Sequence, residues 1–281
     1  MTTEYEVRYA VGQREVKAYD TDELRDAFLT TKLMQSDKIY WVYSHYERFM
    51  VGSAVPLKHS LTLETIPDLL KTEFFTSRRE VGIINIGGSG SVVIGDTEYS
   101  IANEEALYIG KGDKQVTFKS DDASNPAKFY LNSAPAHQVY QDKKVGKQDA
   151  NVLHLGSQET CNERDINQLL INSVVETCQL QMGLTRLKPG SVWNTMPAHQ
   201  HDRRNEVYFY FDMKPDQAVC HFMGEPKQTR HIFVANQQAI LSPPWSIHCG
   251  AGTANYAFIW GMAGENLDYD DMDKYPANEL R

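Results

Sequence analysis

Apolar and polar residues alternate in short runs along most of the chain. Strand side chains point to opposite faces in turn, so a period of two marks a half-buried strand. Tyr5, Val7, Tyr9, Val11 and Val16 place one or two strands in the first 20 residues. Asp20-Thr21-Asp22-Glu23 then predicts a helix start, with Asp20 as cap, Glu23 closing the capping box, and Leu24, Ala27 and Phe28 as an apolar stripe. Residues 38–47 return to an aromatic, strand-like pattern, and Pro67 opens a short helix. From Val81 onward, short apolar runs are broken by Gly87-Gly88-Ser89-Gly90, Gly95-Asp96 and Gly110-Lys111-Gly112-Asp113. Residues 133–160 are polar and irregular and read as a connection. A second strand series follows at 174–184, 192–195, 207–211, 218–223, 231–234, 238–241 and 257–260. The acidic tail, 267–273, is expected to lie over the surface. Two strand series with Gly and Asp turns predict a mainly β fold of two β-barrels in tandem with a few short helices, over residues 1–140 and 141–281.

Composition narrows the function classes. No run of about 18 apolar residues is present, so no membrane span is expected. The N-terminal stretch has neither a basic start nor an apolar core of the secretory kind, which favours the cytoplasm. The formal net charge is -9 and basic residues do not cluster, so no nucleic-acid partner is expected. An acidic substrate would need a few placed arginines. Cys161, Cys178, Cys220 and Cys249 form no C-x-x-C pair and read as reduced thiols.

The chemistry gathers around His199-Gln200-His201, Glu206 and His248. Positions i and i+2 of a strand share a face, so His199 and His201 can converge on one point. Glu206 would come from the next strand, and His248 from a strand pairing nearby after the turn Pro243-Pro244-Trp245. Three nitrogens and a carboxylate suit zinc, and also iron(II), manganese or nickel. Cys249 would point away from such a site.

These residues resemble the cupin metal motif, an H-x-H pair with a following glutamate, completed by a histidine after a proline turn. The sequence departs from it at Trp245 and Gly252, where the motif has Gly and Asn. The resemblance implies two cupin-type barrels. Residues 109–115 resemble the second part of the same motif, with Gln115 at the histidine position, which implies that the first barrel holds no metal. The wording narrows further in 178–185, in Trp193-Asn194-Thr195-Met196-Pro197, in His201-Asp202-Arg203-Arg204, in 242–248, and in Gly264-Glu265-Asn266. It is similar to the 5-keto-4-deoxyuronate isomerase family of pectin breakdown. That resemblance implies one zinc per subunit on His199, His201, Glu206 and His248, a small deoxy-keto-uronate substrate, and a homohexamer.

An aldose–ketose isomerase needs a base and a cation for the substrate carboxylate. Glu206, Tyr208 and His231 are candidates for proton transfer, with Tyr210 on the same face as Tyr208. Arg186 and Arg203 are the candidate carboxylate partners, ahead of Arg204 and Arg230. Gln179 and Gln181 are expected to share a strand face toward the cavity. Three alternatives stay open: 5-deoxyglucuronate isomerase, an iron-dependent cupin dioxygenase, and a non-catalytic sugar-binding bicupin.

Overall fold

The structure, a computed structural model, describes residues 3–265 and 267–281. Asn266, within the segment Gly264-Glu265-Asn266, and the first two residues lie outside the described part. The fold is mainly β with a few short helices, as the strand series predicts, and is of the cupin type. Contacts divide the chain into two compact units. One holds 1–7, 32–151 and 169–182; the other holds 8–31, 152–168 and 183–281. Residues 8–31 of the first half thus count with the second unit, and 141–151 and 169–182 of the second half count with the first.

The first unit consists of a seven-stranded and a four-stranded sheet. Alternate residues of Ile39–Ser44, Arg79–Asn85, Ala106–Ile109 and Phe129–Pro135 fill its core, among them Trp41, Ile83, Leu107 and Leu131. Several of these strands are buried on both faces, which hides the period of two in the sequence.

The expected strand at 174–184 is corrected here. Residues 171–180 form turns, and the strand runs Gln181–Leu187. The cause is the fully buried carboxylate of Glu80. It accepts from three consecutive backbone N–H groups, those of Cys178, Gln179 and Leu180, each at 2.8 Å, and from the Tyr108 hydroxyl at 2.7 Å. Successive N–H groups of a strand point in opposite directions, so three can meet one anion only in a turn. Gln179 consequently donates its side-chain amide to Pro135 O, at 2.6 Å, and shares no strand face with Gln181. The presumed connection at 133–160 also carries strands, at Lys143–Val145 and Asn151–Leu155.

The second unit pairs a seven-stranded sheet with a five-stranded one. The helix Thr21–Phe28 packs on it, entered through the predicted capping box: Asp20 Oδ1 accepts from Glu23 N at 2.9 Å, and Glu23 Oε2 from Asp20 N at 2.8 Å. Gly183 matters for the site, because a Cβ there would lie 2.1 Å from the ring of Trp260, which lines the cavity.

Candidate metal centre

His199 and His248 face each other directly across the strands Trp193–Gln200 and His248–Gly252 of the five-stranded sheet. His201 follows the end of the first strand. Glu206 comes from Arg204–Phe211 in the opposite sheet, where it pairs with Ser242 and Met262. One ligand atom from each of the four lies within 4.8 Å of the others, and all four residues are buried. Glu206 Oε2 is 3.0 Å from His201 Nε2 and 2.8 Å from His248 Nε2, and His248 Nε2 is 3.0 Å from His199 Nε2.

The outer nitrogens set the proton positions. His201 Nδ1 meets Asp271 O at 2.7 Å, and a carbonyl only accepts, so Nδ1 carries a proton. His248 Nδ1 is held by Ser242 Oγ at 3.1 Å. Burial, then the neighbouring histidines, hold His199 well below its ordinary value. Burial alone would raise the Glu206 carboxyl, but His248 and His201 outweigh it and keep the group ionised. Three imidazoles and a carboxylate this close, with the outer nitrogens of His201 and His248 anchored, suit a small divalent cation. Cys249 is buried with Ala198 and Ile247, away from the cluster.

His199, His201 and Glu206 of the cluster line a cavity of about 250 Å³. Tyr208 lines it, with its hydroxyl 3.0 Å from Thr195 Oγ1. Burial and the nearby Glu206 push the Tyr208 phenol well above its usual value, so it stays protonated. Thr195 reaches the cavity because the strand register shifts between Asn194 and His199, with Thr195 at φ 57°. Tyr210 shares the face of Tyr208 but bonds His221 Nδ1 at 2.7 Å and does not line the cavity.

The acidic tail does not simply cover the surface. Tyr269, Asp270 and Met272 line the cavity, and Asp273–Tyr275 pairs with the strand that carries His199. The buried Arg204 holds this tail by its backbone. Nη1 donates to Asp268 O at 2.6 Å, and Nη2 to Tyr269 O at 3.0 Å and Asp271 O at 3.2 Å. Carbonyls make these contacts, so the tail's acidity gives no hint of them.

Three predicted residues lie elsewhere. His231 is exposed on Gln228–Val234, where Ile232 and Val234 take the buried face. Arg186 is ion-paired with Asp212 and lies over the Phe211 ring at 6.0 Å, while its neighbour Thr185 takes the cavity face. Arg203 is ion-paired with Glu265 in the turn before Arg204. None of the three lines the cavity, and neither Gln179 nor Gln181 does. The cations that do are Arg164 and Lys274, which the sequence reading missed.

Two cupin-type units, one with three histidines and a glutamate converging under a cavity, define the class as a bicupin with a candidate metal centre. The chain belongs to the KduI/IolB family, whose model matches residues 32–277. It is 62% identical over 281 residues to a 4-deoxy-L-threo-5-hexosulose-uronate ketol-isomerase of Formosa agariphila, covering 100% of both chains. It is 55% identical over 273 residues to the protein of that name in Bacteroides fragilis, covering 97% of each. Among solved structures, an IolB-like protein from Salmonella typhimurium matches with TM-score 0.71 at 15% identity, over 88% of this chain and 96% of that one.

Proposed function

We propose that the chain is an intramolecular ketol-isomerase converting 5-dehydro-4-deoxy-D-glucuronate into 3-deoxy-D-glycero-2,5-hexodiulosonate, with one zinc ion held by His199, His201, Glu206 and His248. The observation that carries this reading is the meeting of four donors under a cavity in a chain 62% identical throughout to a relative named for that reaction.

The reaction moves a carbonyl from C1 to C2. A proton leaves C2 and one returns at C1, while the hydroxyl proton of O2 passes to O1. Zinc, which keeps its oxidation state, supplies Lewis acidity toward these two oxygens. Glu206 is the acceptor for the C2 proton: it is ionised, and its Oε2 makes both histidine contacts, leaving Oε1 to take the proton and return it at C1. The Tyr208 and Thr195 hydroxyls, 3.0 Å apart, form the path from O2 to O1. Trp260 and Tyr269, with ring centroids 5.4 Å apart, wall the cavity against water.

The same reading takes in a homohexamer, a cytoplasmic place in pectin breakdown, and a metal-free first barrel whose apolar interior serves packing and assembly. The test joins metal analysis by inductively coupled plasma to an isomerase assay on the deoxy-keto-uronate. Zinc near one per chain and turnover without oxygen are expected; iron with oxygen uptake would replace this reading by a dioxygenase. His248→Ala should lose metal and activity while the first unit stays folded. Full metal occupancy in that variant would overturn the ligand set.

A further inference from the structure

Arg164 opens the strand Arg164–Leu170 and shares parity with Ile166, so both side chains enter the cavity. Its Nη1 donates to Asn162 O at 2.9 Å, which orients the guanidinium. Its Nε is buried without a hydrogen-bond partner, and none of the described ion pairs holds it. A buried, unpaired donor on a charged group is costly and asks for an explanation. The other arginines near the site are engaged: Arg186 by Asp212, Arg203 by Glu265, and Arg204 by the carbonyls of the tail. Lys274, the other cation of the cavity, stands directly opposite His199 and so belongs to the metal end. Arg164 belongs to the far end. Its strand is three places from that of Glu206 in the seven-stranded sheet, about 14 Å at ordinary strand spacing. An arginine side chain and a six-carbon acid bridge that span together.

We infer that Arg164 is the carboxylate anchor of the cavity: its guanidinium receives the C6 carboxylate of an open-chain uronate whose C1–C2 end lies at His199, His201, Glu206 and His248. A planar guanidinium can match a carboxylate with two parallel hydrogen bonds, and Arg164 lines the cavity with no carboxylate partner in any described ion pair. This subsite sets the preference for an acid over a neutral sugar. It rests on the isomerase reading for the identity of the acid.

The test uses the full-length, metal-loaded protein. In Arg164→Met, KM for the deoxy-keto-uronate should rise about 100-fold, with kcat within a few-fold and metal content unchanged. Direct binding is measured in parallel with L-gulonate, an open-chain six-carbon acid, and D-glucitol, its counterpart without the carboxylate. Wild type should prefer the acid by at least about tenfold, and Arg164→Met should lose that preference. Arg164→Lys keeps charge without the planar fork and should raise KM about tenfold, which carries the test if Arg164→Met does not fold. Unchanged KM and unchanged acid preference in either folded variant overturn the assignment. If wild type fails to turn over the uronate yet prefers L-gulonate through Arg164, the subsite stands and the isomerase reading falls.

Discussion

In the proposed mechanism Glu206 serves both metal binding and proton transfer. It is buried, ionised, and contacts two of the three histidines through one oxygen. Glu206→Gln keeps the shape and removes the charge. We expect kcat to fall about 10³-fold, with metal content read on the same sample to separate a lost ligand from a lost base. A variant with full metal and wild-type kcat would rule out the proton-transfer role. The four donors were legible in the sequence because their types and strand parity are enough to suggest convergence. Arg164 was not: an arginine after Asn162 and Glu163 has no distinguishing pattern, and its place in the cavity is set by strand pairing distant in sequence. Arg186 and Arg203 misled for the mirror reason, since their carboxylate partners, Asp212 and Glu265, are also distant.

At the scale of elements, two segments are held in place by side chains that sequence periodicity cannot read. The tail lines the cavity because Arg204 gathers its carbonyls, and His201 shares one of them, that of Asp271. Arg204→Met should release the tail: limited proteolysis is expected to cut within 265–275 at least about tenfold faster, with reduced kcat, since buried hydrogen bonds to a charged donor are lost. Unchanged cleavage would show that the Asp273–Tyr275 pairing alone secures it. The turn at 171–180 depends in the same way on Glu80. Glu80→Ala leaves the buried N–H groups of Cys178 and Leu180 and the half-buried one of Gln179 unpaired, and should cost at least about 3 kcal/mol in chemical denaturation of the first unit. The capping box at Asp20, by contrast, was readable because both partners lie within one turn.

For the whole molecule, the candidate metal centre and the fold of the second unit are linked through protonation. Burial is the main cause that lowers His221, to about 3 from an ordinary value near 6.5. Below pH 6.5 the unfolded chain takes up a proton that the folded chain refuses, so stability falls as pH drops through the window from 6.5 toward 3. His199, depressed by burial and by the neighbouring histidines, acts in the same direction. Denaturation of the metal-free protein should therefore show lower stability at about pH 5 than at about pH 7. The difference should shrink in His221→Phe; an equal pH slope in that variant would remove His221 from the account. Metal adds to stability by mass action, about 4 kcal/mol at a thousandfold excess over Kd, and a chelator should lower Tm accordingly.

Local spacing was enough for the fold class, the helix start at Asp20, the family resemblance and the convergence of His199, His201, Glu206 and His248. Each of these rests on local spacing or on residues carried together in short words. The tertiary structure decided which face each element turns inward, that 169–182 counts with the first unit and 8–31 with the second, and that the tail walls the cavity. It also decided that Arg164, rather than Arg186 or Arg203, reaches the cavity. These outcomes follow from the partners that buried charges find: Glu80 among backbone N–H groups, Arg204 among carbonyls, Arg186 and Arg203 with distant carboxylates. A buried charge must be paired, but its partner can come from anywhere in the chain, so the pairing is settled only when the chain folds.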